Sequence, residues 1–346
     1  MDLCNFNNQL SKGCQLCQQG KWLCIFITYQ CNSICHFCPS PFKDDRIHSA
    51  FGNKKEEILP YLFENDFEGI SFSGGDPFLV FDRLKSWLVY FKKHLPHYYY
   101  WVYTNGLNAD SQKMKQLASA GMNEIRFNIA ATGYLSEIVL KNIKDARDLF
   151  PYVAVEIPSI RKDFPLLEAA LETLEKIGVD YLNLHDYILS ESDSVSSEES
   201  SENFVLNKNI HLKYALSSIE NTKATKNQTL EKGYRFHINH CSMQQKELQM
   251  KWRRIKMGKI FNNQDYDIML EDGIICNYYK IPSEKCTDDL EKRIRNPEFR
   301  KGLESYLIKS AELANIKSSG CRIIKVSFIP QMEIGQEKMF LRADLF

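Results

Sequence analysis

Residues 22–38 read WLCIFITYQCNSICHFC, and this stretch decides the fold class. Its first part, 22–28, is almost entirely apolar and rich in β-branched and aromatic side chains, which is typical of a buried strand. Three cysteines follow at C-x3-C-x2-C spacing, so a loop that carries thiols stands at the carboxyl end of that strand. Binding sites of α/β proteins gather at this edge of a parallel sheet.

The pattern of the first strand recurs roughly every 25–30 residues, with amphipathic stretches between the repeats. Five further strands are predicted at 69–73, 98–104, 124–129, 153–158 and 180–185. Helices are predicted near 54–65, 79–94, 109–120, 134–148 and 164–177. Strands that alternate with helices indicate βαβ units with right-handed crossovers. Six units are too few for a closed eight-stranded barrel, so we predict an α/β fold in the form of a partial (β/α)6 barrel.

The pattern changes after the sixth strand. The run 190–202 holds seven serines and five acidic residues around one apolar residue, which indicates a mobile loop. Later segments combine a basic helix with strands near the carboxyl end, which indicates a smaller α+β domain. We therefore predict four regions: a cysteine-rich metal loop over 1–20, the barrel over 21–205, a linker with a helix over 206–240, and a C-terminal α+β domain over 241–346.

Composition limits the classes of function. The 346 residues are 44% hydrophobic and 25% charged, so the chain can bury a core. Lys+Arg and Asp+Glu are 44 each, and this balance argues against a dedicated nucleic-acid or membrane binder. No apolar run approaches the ~20 residues of a membrane span. The first residues show no apolar run behind a basic start, so we predict a cytoplasmic protein.

Cysteine is the unusual component, with 11 residues, seven of them among the first 38. In a reducing compartment such crowding indicates metal binding before disulfides. Cys31, Cys35 and Cys38 offer three thiolates, whereas an iron–sulfur cubane takes four ligands, so one iron would be left for an outside ligand. A zinc ribbon built from Cys14, Cys17, Cys35 and Cys38 is the alternative. It leaves Cys31 unexplained and requires a hairpin that the buried strand would obstruct.

A second motif ends the second strand, where residues 71–78 read SFSGGDPF. Gly74 and Gly75 allow close approach of the backbone to a ligand, and Asp76 adds a carboxylate. Carbonyls and a carboxylate suit an ammonium group. The structural alternative is a plain turn in which Asp76 caps a helix that starts at Pro77.

The Cys-x3-Cys-x2-Cys loop together with Gly-Gly-acid-Pro resembles the radical S-adenosylmethionine (radical SAM) superfamily over about residues 21–205. In that family a [4Fe–4S] cluster chelates the amino and carboxyl groups of SAM through one iron. Reductive cleavage, with electrons from a reductant such as flavodoxin or ferredoxin, yields a 5′-deoxyadenosyl radical that abstracts hydrogen from a substrate. The resemblance implies cluster ligation by Cys31, Cys35 and Cys38, and binding of the methionyl ammonium by Gly74, Gly75 and Asp76.

Three further residues are candidates for cofactor binding. Asn128 ends the fourth strand and could hydrogen-bond a ribose, although asparagine at a strand end is often structural. Glu156 lies in an apolar strand, so its carboxylate needs a partner, either Arg126 or a ligand. Phe37 lies within the cysteine loop and is predicted to pack near the adenine and the cluster.

A second group of cysteines indicates a second metal site. The C-x2-C-x2-G-x-W entry, YTNGL at 103–107, and INHCS at 238–242 resemble a radical SAM subgroup related to pyruvate formate-lyase activating enzymes. This subgroup is similar to the methylase that modifies an arginine of methyl-coenzyme M reductase. The resemblance implies a mononuclear iron or zinc site and a cobalamin-binding C-terminal region. For its ligands we predict Cys4, Cys14, Cys17 and Cys241, with unpaired thiols as the alternative.

These patterns predict a radical SAM enzyme that abstracts hydrogen from a peptide or protein side chain, with cobalamin-dependent C-methylation as one outcome. A glycyl-radical-enzyme activase and a non-catalytic iron–sulfur or zinc module are the alternatives. The glycine turn favours an enzyme, because a metal scaffold needs no ammonium clamp. The chain lacks the Asp-x-His-x-x-Gly loop of the commonest cobalamin binding mode.

Overall fold

The computed structural model describes residues 9–38, 40, 43–189, 200–282, 293–303, 306–315, 321–330 and 338–345. The chain divides into two compact units, Met1–Gln249 and Met250–Phe346. Most of the serine-rich run 190–202, predicted as a mobile loop, lies outside the described residues.

The first unit is built on a seven-stranded parallel sheet with the order β1-β2-β3-β4-β5-β6-β9. The strands of this unit are β1 (Trp22–Thr28), β2 (Gly69–Gly74), β3 (Tyr99–Thr104), β4 (Glu124–Phe127), β5 (Tyr152–Pro158), β6 (Tyr181–His185), the antiparallel hairpin β7 (Ser201–Leu206) and β8 (Ile210–Ala215), and β9 (His237–Cys241). Because the first six strands pair in chain order, the prediction of a partial α/β barrel is confirmed.

Between the first six strands, five helices lie at nearly the predicted positions, whereas residues 12–18, predicted as part of a cysteine-rich loop, form a helix before β1. The helices are α1 (Lys12–Gln18), α2 (Lys55–Glu64), α3 (Phe81–His94), α4 (Ser111–Ser119), α5 (Glu137–Arg147), α6 (Phe164–Ile177), α7 (Ser217–Glu231) and α8 (Met243–Phe261). Their apolar residues recur at helical spacing. In α3, for example, Leu84, Leu88 and Phe91 are fully buried, as expected for a helix that packs on a sheet.

The structure differs from the prediction downstream of β6. The stretch 206–240, predicted as a linker with a helix, also contributes to the β7–β8 hairpin and forms most of β9. Strand β9 joins β6 in parallel and adds a seventh strand to the sheet. Its sequence, HINHC, has one branched apolar residue among polar ones, so it lacks the apolar run that marked the other strands.

The short helix α1 packs against one face of the sheet. We call this face, which carries Trp22 and Trp101, the inner face. Ser11 caps the helix, because its Oγ accepts a hydrogen bond from the Cys14 backbone N–H at 3.1 Å. Leu16 is fully buried and packs with Trp22 and Trp101. The helix therefore holds the side chains of its two cysteines against the inner face.

The second unit contains an antiparallel sheet with the order β10-β11-β12-β13. Its elements are β10 (Ile268–Met269), β11 (Ile275–Pro282), α9 (Pro297–Lys301), β12 (Cys321–Pro330) and β13 (Lys338–Leu345). Ile281, Val326 and Phe328 belong to one buried cluster beside this sheet. Across the described residues of both units, every helix is too short or too polar to cross a bilayer.

Candidate cofactor and metal sites

The three loop cysteines follow β1, where the sequence places them. Cys31 and Cys35 are partly buried, Cys38 is exposed, and all three are free thiols. Burial, together with the charges of Cys31 and Cys38, raises the pKa of Cys35 to about 11. Cys35 thus lies within electrostatic range of both other loop cysteines, and three thiols are the donor set that a cubane with one open iron takes.

Two polar side chains approach the sulfurs of this loop. Asn105 Nδ2 lies 3.8 Å from Cys31 Sγ and donates to Asn32 Oδ1 at 2.7 Å. Lys43 Nζ lies 3.8 Å from Cys38 Sγ. Because N–H donors and cations favour the thiolate form, these contacts suit thiols that bind metal. No local pattern in the sequence links Asn105, which follows β3, to the cysteine loop.

The glycine turn after β2 is bonded to the segment between β1 and the cysteine loop. The Gly75 N–H donates to the Thr28 carbonyl at 2.8 Å, and the Asp76 N–H donates to the Gln30 carbonyl at 2.7 Å. A Cβ added at Gly75 would overlap the carbonyl oxygen of Gln30. Gly74 adopts φ +115°, which favours glycine. This turn therefore needs glycine for close packing of two backbone segments.

The carboxylate of Asp76 is fully buried and bonded within the protein. It accepts hydrogen bonds from the Phe78 N–H, the Thr104 hydroxyl and the Asn105 N–H, each at 2.9 Å. Burial raises the pKa of Asp76, and these hydrogen bonds oppose that rise. Asp76 thus forms the cap that was its structural alternative, here on the 3-10 turn Pro77–Val80. The predicted contacts of Gly74, Gly75 and Asp76 with a methionyl ammonium stay predictions.

We expect Gly75→Ala to disrupt cluster assembly and SAM binding, because the added methyl group must displace the Gln30 backbone next to the cysteine loop. Overpacking of this kind destabilises a protein by about 1–3 kcal/mol. The matched control is Gly302→Ala, since Gly302 has a negative φ of −65° and the nearest heavy atom to its added Cβ lies at 3.4 Å, an ordinary van der Waals contact. The measurement is iron content and SAM binding by equilibrium dialysis. Normal values for Gly75→Ala would contradict the assignment of this turn.

The structure gives Asn128 and Phe37 clear protein contacts. Asn128 caps the 3-10 turn Ile129–Thr132, where its side chain accepts from the Ala131 N–H at 3.2 Å. Phe37 packs against the buried cluster that contains Ile160 and Tyr187. Their contacts with a cofactor stay predictions.

Glu156 belongs to a network of charged side chains on the inner face. Its carboxylate contacts Arg126 Nη1 at 2.7 Å, His185 Nε2 at 2.9 Å and Asn183 Nδ2 at 3.1 Å. Arg126 Nε also binds Glu124 Oε1 at 2.6 Å. Burial would raise the pKa of Glu156, but the Arg126 guanidinium and the His185 hydrogen bond hold it well below its usual range. Of the two predicted partners for Glu156, the structure thus supplies Arg126.

Three of the four cysteines predicted for the second metal site come together from distant parts of the chain. Cys14 Sγ lies 3.7 Å from Asn239 Nδ2, and Cys17 Sγ lies 2.9 Å from Gln249 Nε2. Burial raises the pKa of Cys17 well above its usual value, and the charges of Cys241 and Cys14 add to that rise. Helix α1 and strand β9 therefore bring these three thiols within electrostatic range of one another.

The remaining predicted ligand, Cys4, lies outside the described residues. Among those that are described, no three His, Cys, Asp or Glu side chains surround one point as metal ligands do.

His185 is a site residue that the sequence analysis missed. It ends β6, its Nε2 lies 2.9 Å from Glu156 Oε1, and it pairs with Cys241 in the register of β6 and β9. Burial lowers the pKa of His185, but Cys241 and Glu156 outweigh it and raise the pKa to about 9. The available signal was the alternation in YLNLH, which places Asn183 and His185 on one face of the strand.

Known proteins share features of this chain. The profile of the radical SAM superfamily matches residues 25–158, which include the cysteine loop and the glycine turn. A protein of Methanocaldococcus jannaschii named as a glycyl-radical enzyme activating enzyme is 26% identical over 286 residues, which is 78% of this chain and 73% of that protein.

Two solved structures are similar to this chain at low sequence identity. Streptococcus suis SuiB bound to its precursor peptide SuiA has a TM-score of 0.48 and 13% identity over 69% of this chain. Methylornithine synthase has a TM-score of 0.46 and 13% identity over 71% of this chain. The chain covers 56% of SuiB and 77% of methylornithine synthase.

Proposed function

This chain belongs to the radical SAM superfamily, and on that premise we propose that it cleaves SAM reductively and abstracts hydrogen from a peptide or protein side chain. The observation that carries the proposal is the joining of two motifs. The glycine turn is hydrogen-bonded to the Thr28 and Gln30 carbonyls, and Gln30 directly precedes Cys31. Backbone hydrogen bonds thus hold the turn that would bind the amino-acid group of SAM next to the three-thiol loop.

Cys31, Cys35 and Cys38 would hold the [4Fe–4S] cluster, and carbonyls of Gly74 and Gly75 would accept the methionyl ammonium. When bound, the cluster supplies the electron that cleaves SAM to methionine and a 5′-deoxyadenosyl radical. The chain's own residues position and shield these groups. Asn105 joins the cysteine loop to the end of β3, and Phe37 packs against the buried cluster that contains Ile160.

A polypeptide substrate is supported by the M. jannaschii relative, whose name describes an enzyme that acts on another enzyme. The same name supports a second candidate function, which is the activation of a glycyl-radical enzyme. C-methylation with cobalamin is the other outcome that we propose for the abstraction step. A small electron-transfer protein such as flavodoxin or ferredoxin would supply the electron.

We also propose that Cys4, Cys14, Cys17 and Cys241 bind one iron or zinc ion. Support comes from the chemistry of the donor set, since α1 and β9 supply three free thiols, and those of Cys14 and Cys17 accept hydrogen bonds from side-chain amides. Four thiolates around one ion form the usual closed structural site.

We expect Cys14→Ala to remove about one metal ion per chain and to leave the cubane in place, because a tetrahedral site with three ligands binds metal weakly. The measurement is iron, zinc and sulfide content of anaerobically reconstituted protein. Cys24→Ala is the control, because Cys24 lies within β1 and packs, partly buried, against the cluster that contains Trp22 and Trp101. Unchanged metal content in Cys14→Ala would favour the free-thiol alternative.

The experiment that tests the proposed function is anaerobic reconstitution with iron and sulfide, followed by addition of dithionite and SAM. We expect about four cubane irons per chain and formation of 5′-deoxyadenosine. A corrinoid absorption band after purification would favour methylation, whereas a glycyl-radical signal on a partner enzyme would favour activation. Protein that loads the cluster but forms no 5′-deoxyadenosine would contradict the proposal.

A further inference from the structure

The hairpin of β7 and β8 lies beside the cysteine loop. The Ala215 N–H of β8 donates to the Tyr187 carbonyl at 2.9 Å, in the segment that follows β6. A second bond joins the Leu189 N–H to the Lys213 carbonyl, also at 2.9 Å. Ala215 and Tyr187 belong to the buried cluster against which Phe37 of the cysteine loop packs. The hairpin is therefore anchored at the carboxyl end of β6, next to the loop that would hold the cubane.

Strand β8 has partners on both of its edges, whereas β7 has a partner on one edge. The two strands pair from Ser201 opposite Ala215 to Leu206 opposite Ile210, without a shift in register. On the other edge of β7, the described part of the chain supplies neither a strand nor a backbone hydrogen bond. We call this second edge the free edge of β7.

The pairing with β8 determines which main-chain groups point to the free edge. In an antiparallel pair, every second residue is bonded to the partner strand and the residues between them point away. The Leu216 N–H donates to the Ser200 carbonyl at 2.9 Å, in line with the register of the hairpin, so the even-numbered residues of β7 are bonded to β8. Ser201, Asn203 and Val205 therefore direct their N–H and C=O groups to the free edge.

The sequence of β7 does not protect this edge against another strand. Natural proteins block open edges with proline, lysine or a bulge. Residues 201–206 read SENFVL, and this strand, which is described throughout, has none of these features. Its one charged residue, Glu202, accepts a hydrogen bond from the Tyr214 hydroxyl of β8 at 2.6 Å. Val205 is 45% exposed and adds an apolar contact at the free edge.

We propose that the free edge of β7 binds an extended segment of the polypeptide substrate as an added strand, with an apolar side chain of that segment beside Val205. The edge favours a polypeptide because its N–H and C=O groups alternate with the spacing that another extended main chain presents. This inference rests on the proposed function and deepens it, since it assigns to β7 the capture of the substrate next to the cysteine loop.

The test uses the full chain with its cubane loaded. The probe is a short synthetic peptide that is selected on this protein from a random library displayed on phage. Its affinity is measured by fluorescence anisotropy, and backbone exchange is measured by residue-resolved hydrogen–deuterium exchange. We expect the bound peptide to slow exchange at Ser201, Asn203 and Val205. Exchange at Glu202 and Phe204 should change little, because these amides are already bonded to β8.

We expect Asn203→Pro to weaken peptide binding by about tenfold, because it removes one N–H from the free edge and leaves a carbonyl of the peptide unpaired. The pairing with β8 should persist, since proline is tolerated on an edge strand where the N–H faces solvent. Asn203→Ala is the matched control. It changes the side chain but keeps the N–H, so it should bind the peptide with wild-type affinity.

A second measurement does not depend on how Asn203→Pro folds. The selected peptide is prepared in two forms, N-methylated at its odd-numbered or at its even-numbered residues. An added strand pairs with β7 through every second residue, so one form should lose binding to the wild-type protein and the other should keep it. Equal affinities of the two forms would contradict pairing through the main chain.

A selection that yields no binding peptide would overturn the inference, as would a bound peptide that leaves exchange at Ser201, Asn203 and Val205 unchanged. Slow exchange at these amides without peptide would overturn it as well. The edge would then be covered by the chain itself or, if the slow exchange appears only at high protein concentration, by a second copy. None of these results affects SAM cleavage, whereas absence of 5′-deoxyadenosine would contradict the proposed function and leave peptide binding at β7 intact.

Discussion

Cys35→Ala is expected to leave the protein without an iron–sulfur cluster and unable to form 5′-deoxyadenosine. Cys35 is the middle ligand of the loop, and its thiol lies in the electrostatic range of both other loop cysteines. With two thiolates left, the cluster would have two irons without a protein ligand. The measurement is iron and sulfide per chain after reconstitution, together with 5′-deoxyadenosine formed in the presence of dithionite.

The matched control is Cys276→Ala. Cys276 is also a free thiol, but it is fully buried and lies on β11 in the second unit. We expect this variant to keep its cluster and its SAM cleavage, so that loss in Cys35→Ala reports on ligation and not on removal of a buried thiol. Cys35→Ala with full iron content and normal 5′-deoxyadenosine would remove Cys35 from the ligand set.

Arg126→Met is expected to lower the free energy of unfolding of the first unit by about 3–5 kcal/mol, which is the usual loss when one partner of a buried ion pair is removed. Arg126 is 3% exposed and binds two carboxylates, Glu124 at 2.6 Å and Glu156 at 2.7 Å. Without the guanidinium, Glu124 stays buried without the cation that pairs with it, and Glu156 keeps only its contact with His185. The measurement is urea unfolding of the cluster-free protein.

Arg161→Met is the control for this prediction. Arg161 also pairs with a glutamate, Glu220, at 2.9 Å, but both side chains are more than half exposed. Exposed pairs contribute about 0–1 kcal/mol, so the two arginine variants should differ clearly. Equal stability of the two variants would mean that the inner-face network does not stabilise the first unit.

The loss of Arg126 should also affect the position of the cysteines in α1. Arg126 Nη2 lies 3.2 Å from Ser11 Oγ, and Ser11 caps α1, which carries Cys14 and Cys17. The network thus ties the placement of α1 to the sheet. We infer that the inner-face charges serve both the stability of the barrel and the position of its N-terminal thiols.

The sequence predicts the parts of this molecule that depend on local patterns. Strands β1 to β6 have apolar runs with nearby turns, and the loop cysteines are adjacent along the chain. Both signals can be recognised within a short window of residues. The burial of a strand and ligation by a loop depend mainly on the residues inside that window. The cap formed by Asp76 was also visible as an alternative, since an acidic residue before Pro77 is a known helix start.

What the sequence does not predict depends on contacts between distant residues. Asn105 reaches the cysteine loop only because β3 lies two strands from β1. His185 meets Cys241 only through the register of β6 and β9, and β9 itself was not predicted. Polar side chains follow no periodic pattern that identifies their partners, so these contacts could be found only in the folded structure.

The most direct measurement of the central claim is electron–nuclear double resonance of the reduced, reconstituted protein with SAM labelled by ¹⁵N at its amino group. If the three loop thiolates hold a cubane whose open iron binds the methionyl group, the cluster signal will show hyperfine coupling to the ¹⁵N label. Cys14→Ala should keep that coupling, because its thiol belongs to the other site. A cluster that shows no coupling to bound SAM, or zinc in place of iron at the loop, would contradict the account.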